Sequence, residues 1–168
     1  SSGRFRISPA ASYSDPSLSP AQRDDELVTQ SLSPRGTRMS VKSGSGYRQI
    51  PGIIGPISFN RRCDNFYVFC AAGMFDPRMF DEFQTDAFLL VRNLQEFGLA
   101  LIRGFAAKSG MMETAHGSVH YLDPLHPGEQ LHSVEMTKDF RYEYQREWRI
   151  IWRAEQPLPI TADRSEEH

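Results

Sequence analysis

Along residues 148–153 apolar and basic side chains alternate: Trp148, Ile150 and Trp152 interleave with Arg149, Ile151 and Arg153. A period of two sends the two sets to opposite faces of an extended chain, so the stretch predicts a β-strand with its aromatic face buried. Residues 65–70, Asn-Phe-Tyr-Val-Phe-Cys, show no alternation. They form an aromatic and β-branched run, too short for a buried helix and closed off by Gly73, which predicts a central strand. Residues 87–91, Ala-Phe-Leu-Leu-Val, predict a second one. Asn93, with Glu96 three residues on, matches a capping box and opens a helix over 94–106, with Leu94, Phe97, Leu101 and Phe105 on one face. Strand-like pieces follow at 111–114 and 118–121, and Thr137 is placed to cap a short helix reaching Tyr144.

The remaining segments are punctuated rather than periodic. Residues 4–8 read as strand-like, and 8–20, rich in Ser, Pro, Ala, Tyr and Asp, as a surface loop. Ser19, Pro20 and the acids Asp24, Asp25 and Glu26 have the order of an N-cap, a first helical residue and an acidic first turn, so a helix is expected over 20–31. Glycines and prolines exclude long helices from 33–65. Strands follow strands as often as helices do, which favours an α+β fold with a mixed or antiparallel, split β-sheet core over a doubly wound parallel sheet. The chain reads as one domain over 1–156 with a peripheral tail over 157–168. It opens without Met, so an upstream segment is expected to be missing.

Composition adds little. With 39% hydrophobic residues, 24% charged residues and a net charge of -2, the chain is neither a disordered polymer nor a polyanion coat. Two cysteines without a Cys-x-x-Cys spacing fit a reducing compartment, and no apolar run approaches bilayer length, so a cytoplasmic protein without a membrane partner is expected. The histidines, among them His116, His120, His126 and His132, lack metal-site spacing, and no metal is expected. Gly-x-Ser-x-Gly, phosphate-loop and dinucleotide fingerprints are absent, and Cys70 lies in an apolar strand where a thiol is packed rather than reactive.

Two features remain. In an extended chain Gln145, Glu147, Arg149 and Arg153 share the side opposite Trp148, Ile150 and Trp152. That set is either a solvated stripe of alternating charge or, given its aromatic neighbours, the wall of a cleft for a cationic or planar ligand. Arg35, Arg38, Lys42, Arg48, Arg61 and Arg62, interleaved with Tyr47 and Phe59, form a basic block that reads either as a solvated face or as a nucleic-acid contact.

Four motifs occur in a fixed order: Phe5-Arg6-Ile7-Ser8 with Ser12-Tyr13-Ser14-Asp15-Pro16; Val68-Phe69-Cys70-Ala71; Val119-His120-Tyr121; and Lys138 followed by Arg141-Tyr142-Glu143-Tyr144-Gln145-Arg146-Glu147-Trp148-Arg149. In this order they resemble an uncharacterised bacterial domain family with Phe-Asn-Asp-Pro, Cys-Phe-Ser, Val-x-Tyr and Trp-x-Tyr-Glu-x-Glu-Trp-Arg motifs. That family is similar in turn to the ADP-ribosyltransferase fold. The resemblance implies transfer of ADP-ribose from NAD to a macromolecular acceptor, protein or nucleic acid, by a bacterial toxin, effector or phage-defence component. It would act in the cytoplasm of its own or a target cell and could be held by an antitoxin or immunity partner. Glu147 would be the catalytic carboxylate, stabilising an oxocarbenium-like cation, and Gln145 would orient the acceptor. Arg4 or Arg6 would stand in for the NAD-anchoring residue, with Cys70 and Tyr144 also lining the NAD site. The middle strand, Cys70-Ala71-Ala72, lacks the hydroxyls of that superfamily. The other reading is a catalytically silent module that binds protein or nucleic acid.

Overall fold

Ile150, Ile151 and Trp152 are all completely buried, so their strand lies in the middle of the molecule with both faces covered. The structure, a computed structural model, describes residues 5–33, 38–52, 57–109, 112–123 and 132–154. In chain order its elements are β1 (Ser8–Pro9), β2 (Val28–Leu32), β3 (Ser40–Ser43), β4 (Gly46–Gln49), β5 (Ser58–Arg62) and β6 (Tyr67–Ala72). Next come α1 (Arg78–Phe83), α2 (Leu94–Ser109), β7 (Glu113–Ser118), β8 (His120–Leu122), β9 (Thr137–Asp139) and β10 (Glu147–Arg153). Short 3-10 turns occupy Ala10–Ser14, Val134–Met136 and Phe140–Gln145. This is a mixed α+β architecture with mostly antiparallel sheets, as the strand-rich pattern predicts.

The principal sheet has the order β1-β6-β10-β7, and all its pairs are antiparallel. Two further pairs, β2-β5 and the hairpin β3-β4, are antiparallel, and β8-β9 is parallel. On one face of the principal sheet Trp148, Ile150 and Trp152 meet α2. Phe105 packs 4.8 Å from the Trp152 ring, and Phe97 joins Phe69 and Phe5 in an aromatic cluster. The helix crosses closest at Gly98, where an added Cβ would lie 3.2 Å from the Trp148 ring. Asn93 caps it as predicted, its Oδ1 accepting from the Glu96 amide at 3.1 Å. The opposite face is covered by chain without long helices: Ala10, Ala11 and Leu27 pack with Phe66, Val68 and Ile151.

Several expectations need correction. The segment expected to be a surface loop supplies β1 and the Ala10–Ser14 turn, of which Ala10 and Ala11 are buried, because the Ala10 amide bonds Phe66 O at 2.7 Å and seats small side chains in the core. The helix expected over 20–31 stops after one turn closed on the Ser19 carbonyl, and a second turn, closed by the Val28 amide on Asp25 O at 3.2 Å, leads into β2. The winning force is Glu26, which reaches into the interior. Residues 87–91 are not a strand: they link α1 to α2 unpaired, with Phe88 resting on Phe75 and Phe80 and Leu89 and Leu90 exposed. Thr137 belongs to β9, and Asp139 caps the 3-10 turn that replaces the expected helix. Leu94 is exposed, whereas Phe97 and Phe105 pack as expected. His126 and residues 157–168 lie outside the described residues.

Trp152→Ala removes a fully buried ring and should cost about 3–5 kcal/mol in urea unfolding, whereas Leu89→Ala should stay within about 0.5 kcal/mol. Equal effects at the two positions would contradict this placement.

Candidate functional site

The polar side chains of β10 do not form a solvated stripe. Arg149 is completely buried and Glu147 only 5% exposed, on the side of the sheet opposite α2. Their orientation follows from the local chain. Arg146 adopts left-handed backbone angles, φ 43 and ψ 51, and converts the Phe140–Gln145 turn into the strand. Its carbonyl accepts from the Gly73 amide at 2.7 Å, and a Cβ on Gly73 would sit only 2.6 Å from that oxygen, so this approach requires glycine. From Glu147 onward the register is fixed on both sides, with Arg149 opposite Cys70 and Gly117.

Four charged side chains then meet in the interior. Lys138 Nζ donates to Glu147 Oε2 at 2.9 Å and lies 3.6 Å from Glu26 Oε1. Arg149 Nε donates to Glu147 Oε1 at 2.7 Å, and its Nη1 donates to Glu26 Oε2 at 2.8 Å and to the Glu135 carbonyl at 2.6 Å. Gln145 closes the cluster, accepting from Lys138 at 3.1 Å and donating to the Ala21 carbonyl at 3.0 Å. Tyr121 accepts from the Glu147 amide at 2.7 Å. Burial alone would raise the Glu147 carboxyl, but Arg149, Lys138 and its hydrogen bonds overcome it and hold the group at about 2. Burial would likewise lower Lys138 and Arg149, and the carboxylates Glu147 and Glu26 raise both instead. Glu147 is therefore a carboxylate with both oxygens engaged.

Of the residues expected at the site, Gln145 and Glu147 are brought together around Lys138. Cys70 joins them: its thiol is pushed well above the ordinary range, by burial first and by Glu147 second. Tyr144 lies one step out, donating to Glu82 and accepting from Gln145 at 3.2 Å. Arg6 is exposed before β1, and Arg4 falls outside the described residues. Reasoning from sequence missed Glu26 as a partner, since its acidic run has the look of a helix start.

Beside the quartet opens a cleft of about 900 Å3, walled by the 20–30 segment, α1 and the 137–144 segment. Lys138 and Glu26 line it and Glu147 does not, so Lys138 stands between that carboxylate and the opening. The lining carries six acidic and four basic side chains. One of them, Asp24, has its carboxyl raised to about 6, by burial first and by the neighbouring charge of Glu26 second. Among the described residues its carboxyl has no hydrogen bond or ion pair, although its amide donates to Tyr13 O at 3.0 Å. Elsewhere the His120 and His132 rings stack 3.5 Å apart, and the described residues hold no cluster of His, Cys, Asp and Glu suited to a metal. No described helix is long and apolar enough to cross a membrane. Comparison with family models, curated proteins and solved structures gives no match.

Glu147→Gln leaves two buried cations facing one carboxylate and should cost about 3–5 kcal/mol at pH 7. The folded carboxyl sits at about 2, below the value of about 4.3 expected of an unfolded chain. Its stabilisation is thus fully present above about pH 5 and lost as pH falls towards 2. Urea unfolding across that window should show a steep loss in the parent and a shallower one in Glu147→Gln; parallel curves would contradict the pairing.

Proposed function

We propose that the chain is a binding module, and that the cleft beside the quartet receives a cationic group, ammonium or guanidinium, of the kind a basic side chain of a partner protein presents. One observation carries the reading: Asp24 is a half-buried carboxyl in a net acidic cleft, with no cationic partner in contact among the described residues. The quartet is internally neutral, two charges of each sign, so it has no attraction left to lend. A ligand cation would supply what Asp24 lacks, because a desolvated carboxylate gains most from an opposite charge at short range. The cleft is a plausible size for a small ligand or one side chain with its flanking backbone.

ADP-ribosyl transfer from NAD is the second reading. It is supported by the motif resemblance and by the meeting of Gln145 and Glu147 around Lys138, next to a cleft that Tyr144 lines. It requires Lys138 to move aside so that Glu147 can face a substrate. Nicotinamide release that Glu147→Gln abolishes, with folding intact, would favour this reading.

The binding reading is tested by calorimetric titration with methylguanidine and with NAD at pH 5 and pH 7.5. A cation that pairs with ionised Asp24 should bind more tightly at the higher pH, and Asp24→Asn should weaken it roughly tenfold or more. Binding that ignores both pH and this substitution would overturn the proposal. The sign for stability is opposite. The folded pKa is raised to about 6, so stability falls as pH rises from about 4 to 6. Asp24→Asn should therefore stabilise the unliganded chain at pH 7, by about 1 kcal/mol after allowance for partial exposure.

A further inference from the structure

Charge is segregated along this chain. Between Leu27 and Cys63 there is no acidic residue and there are six cations, Arg35, Arg38, Lys42, Arg48, Arg61 and Arg62. The remaining residues therefore hold 13 of the 19 basic and all 21 acidic residues, a balance of -8 against +6 in this segment. The fold displays the hairpin of that segment. All eight residues of the β3-β4 hairpin are exposed, and Gly44, at φ 60, forms the tight turn between the strands. In its register Lys42 pairs with Tyr47 and Ser40 with Gln49, so these four side chains share one face, a cation directly across from an aromatic ring. Tyr47 is 79% exposed and, among the described residues, packs against no other ring. Arg48 emerges on the reverse face and Arg38 just before β3, both exposed. On β5, Arg62 is exposed while Arg61 is engaged, its Nη1 donating to the His132 carbonyl. Folding gives no reason for an acid-free arm that buries nothing, since exposed hairpin side chains contribute little to stability.

We propose that the β3-β4 hairpin is a binding arm for single-stranded nucleic acid, with Arg38, Lys42 and Arg48 on phosphates and Tyr47 stacked on a base. Positive charge answers a polyanion, and the exposed ring among the cations selects a single strand, whose unstacked bases alone offer a face to it. The arm is distinct from the cleft, where acids outnumber bases, and its test is independent of the function proposed there.

The experiment uses the full chain and a fluorescent 20-nucleotide single-stranded RNA of mixed sequence, with the matching duplex and heparin as competitors. Three exposed cations, Arg38, Lys42 and Arg48, predict a log–log salt slope of about -2, so affinity should fall roughly twenty-fold between 50 and 200 mM salt. The triple variant Arg38→Ala/Lys42→Ala/Arg48→Ala should flatten that slope by about 2 units. Tyr47→Ala should weaken binding to the single strand about tenfold with the slope unchanged, and Tyr47→Phe should restore it. All variants should keep the parent's circular dichroism and melting temperature, since the arm is exposed. Absence of binding at low salt, indifference to Tyr47, or equal affinity for heparin or duplex would each overturn the proposal.

Discussion

Glu147 held between Arg149 and Lys138 is the interaction on which the rest of the structure depends. These groups and Glu26 come from separated parts of the chain, so the quartet ties the segment before β2 to β9 and to the central strand β10. Removing four charges from water is costly, and only multiple short partners for each one offset that cost. The arrangement provides them: Arg149 bonds two carboxylates and a backbone carbonyl, and Lys138 meets Glu147, Gln145 and Glu26. The same interaction fixes register. A one-residue slip of β10 would turn Glu147 and Arg149 towards α2 and Trp148 into the charge cluster, where neither set has partners.

Much of this frame was legible in the sequence, and the parts that were not share a cause. β6, β10 and the start of α2 rest on local signals: a β-branched and aromatic run, an alternation, a cap. The helix expected over 20–31 and the strand expected over 87–91 also had good local signals, but distant partners decided their fate. Glu26 is drawn to Arg149, more than a hundred residues away, and the chain leaves the helical path for a turn that holds it there. Residues 87–91 find no strand to pair with among the described residues and form a largely exposed apolar linker. The candidate site divides in the same way. Its residues other than Glu26 could be named from the sequence around Glu147, but alternation cannot tell a solvated charged face from a buried one, because both read as polar. What decides it is a second set of charges, elsewhere in the sequence, that closes over the first.

The two proposed binding surfaces follow from charge that the quartet does not absorb. Inside the core the charges cancel. In the cleft an acidic excess remains, and Asp24, half-buried and without a cation in contact among the described residues, is part of it. On the hairpin the excess is basic and wholly exposed. The fold thus concentrates opposite signs in two places, while its buried quartet is neutral.

The central claim, that Glu147 is an internal tie and not a free reacting group, is most directly tested by a double-mutant cycle on Glu147 and Arg149. Unfolding free energies of the parent, Glu147→Gln, Arg149→Met and the double variant would be measured in urea at pH 7. A coupling of about 2 kcal/mol or more, with the double variant more stable than the sum of the single losses predicts, is the expected result. Additive losses with a coupling under about 0.5 kcal/mol would contradict it.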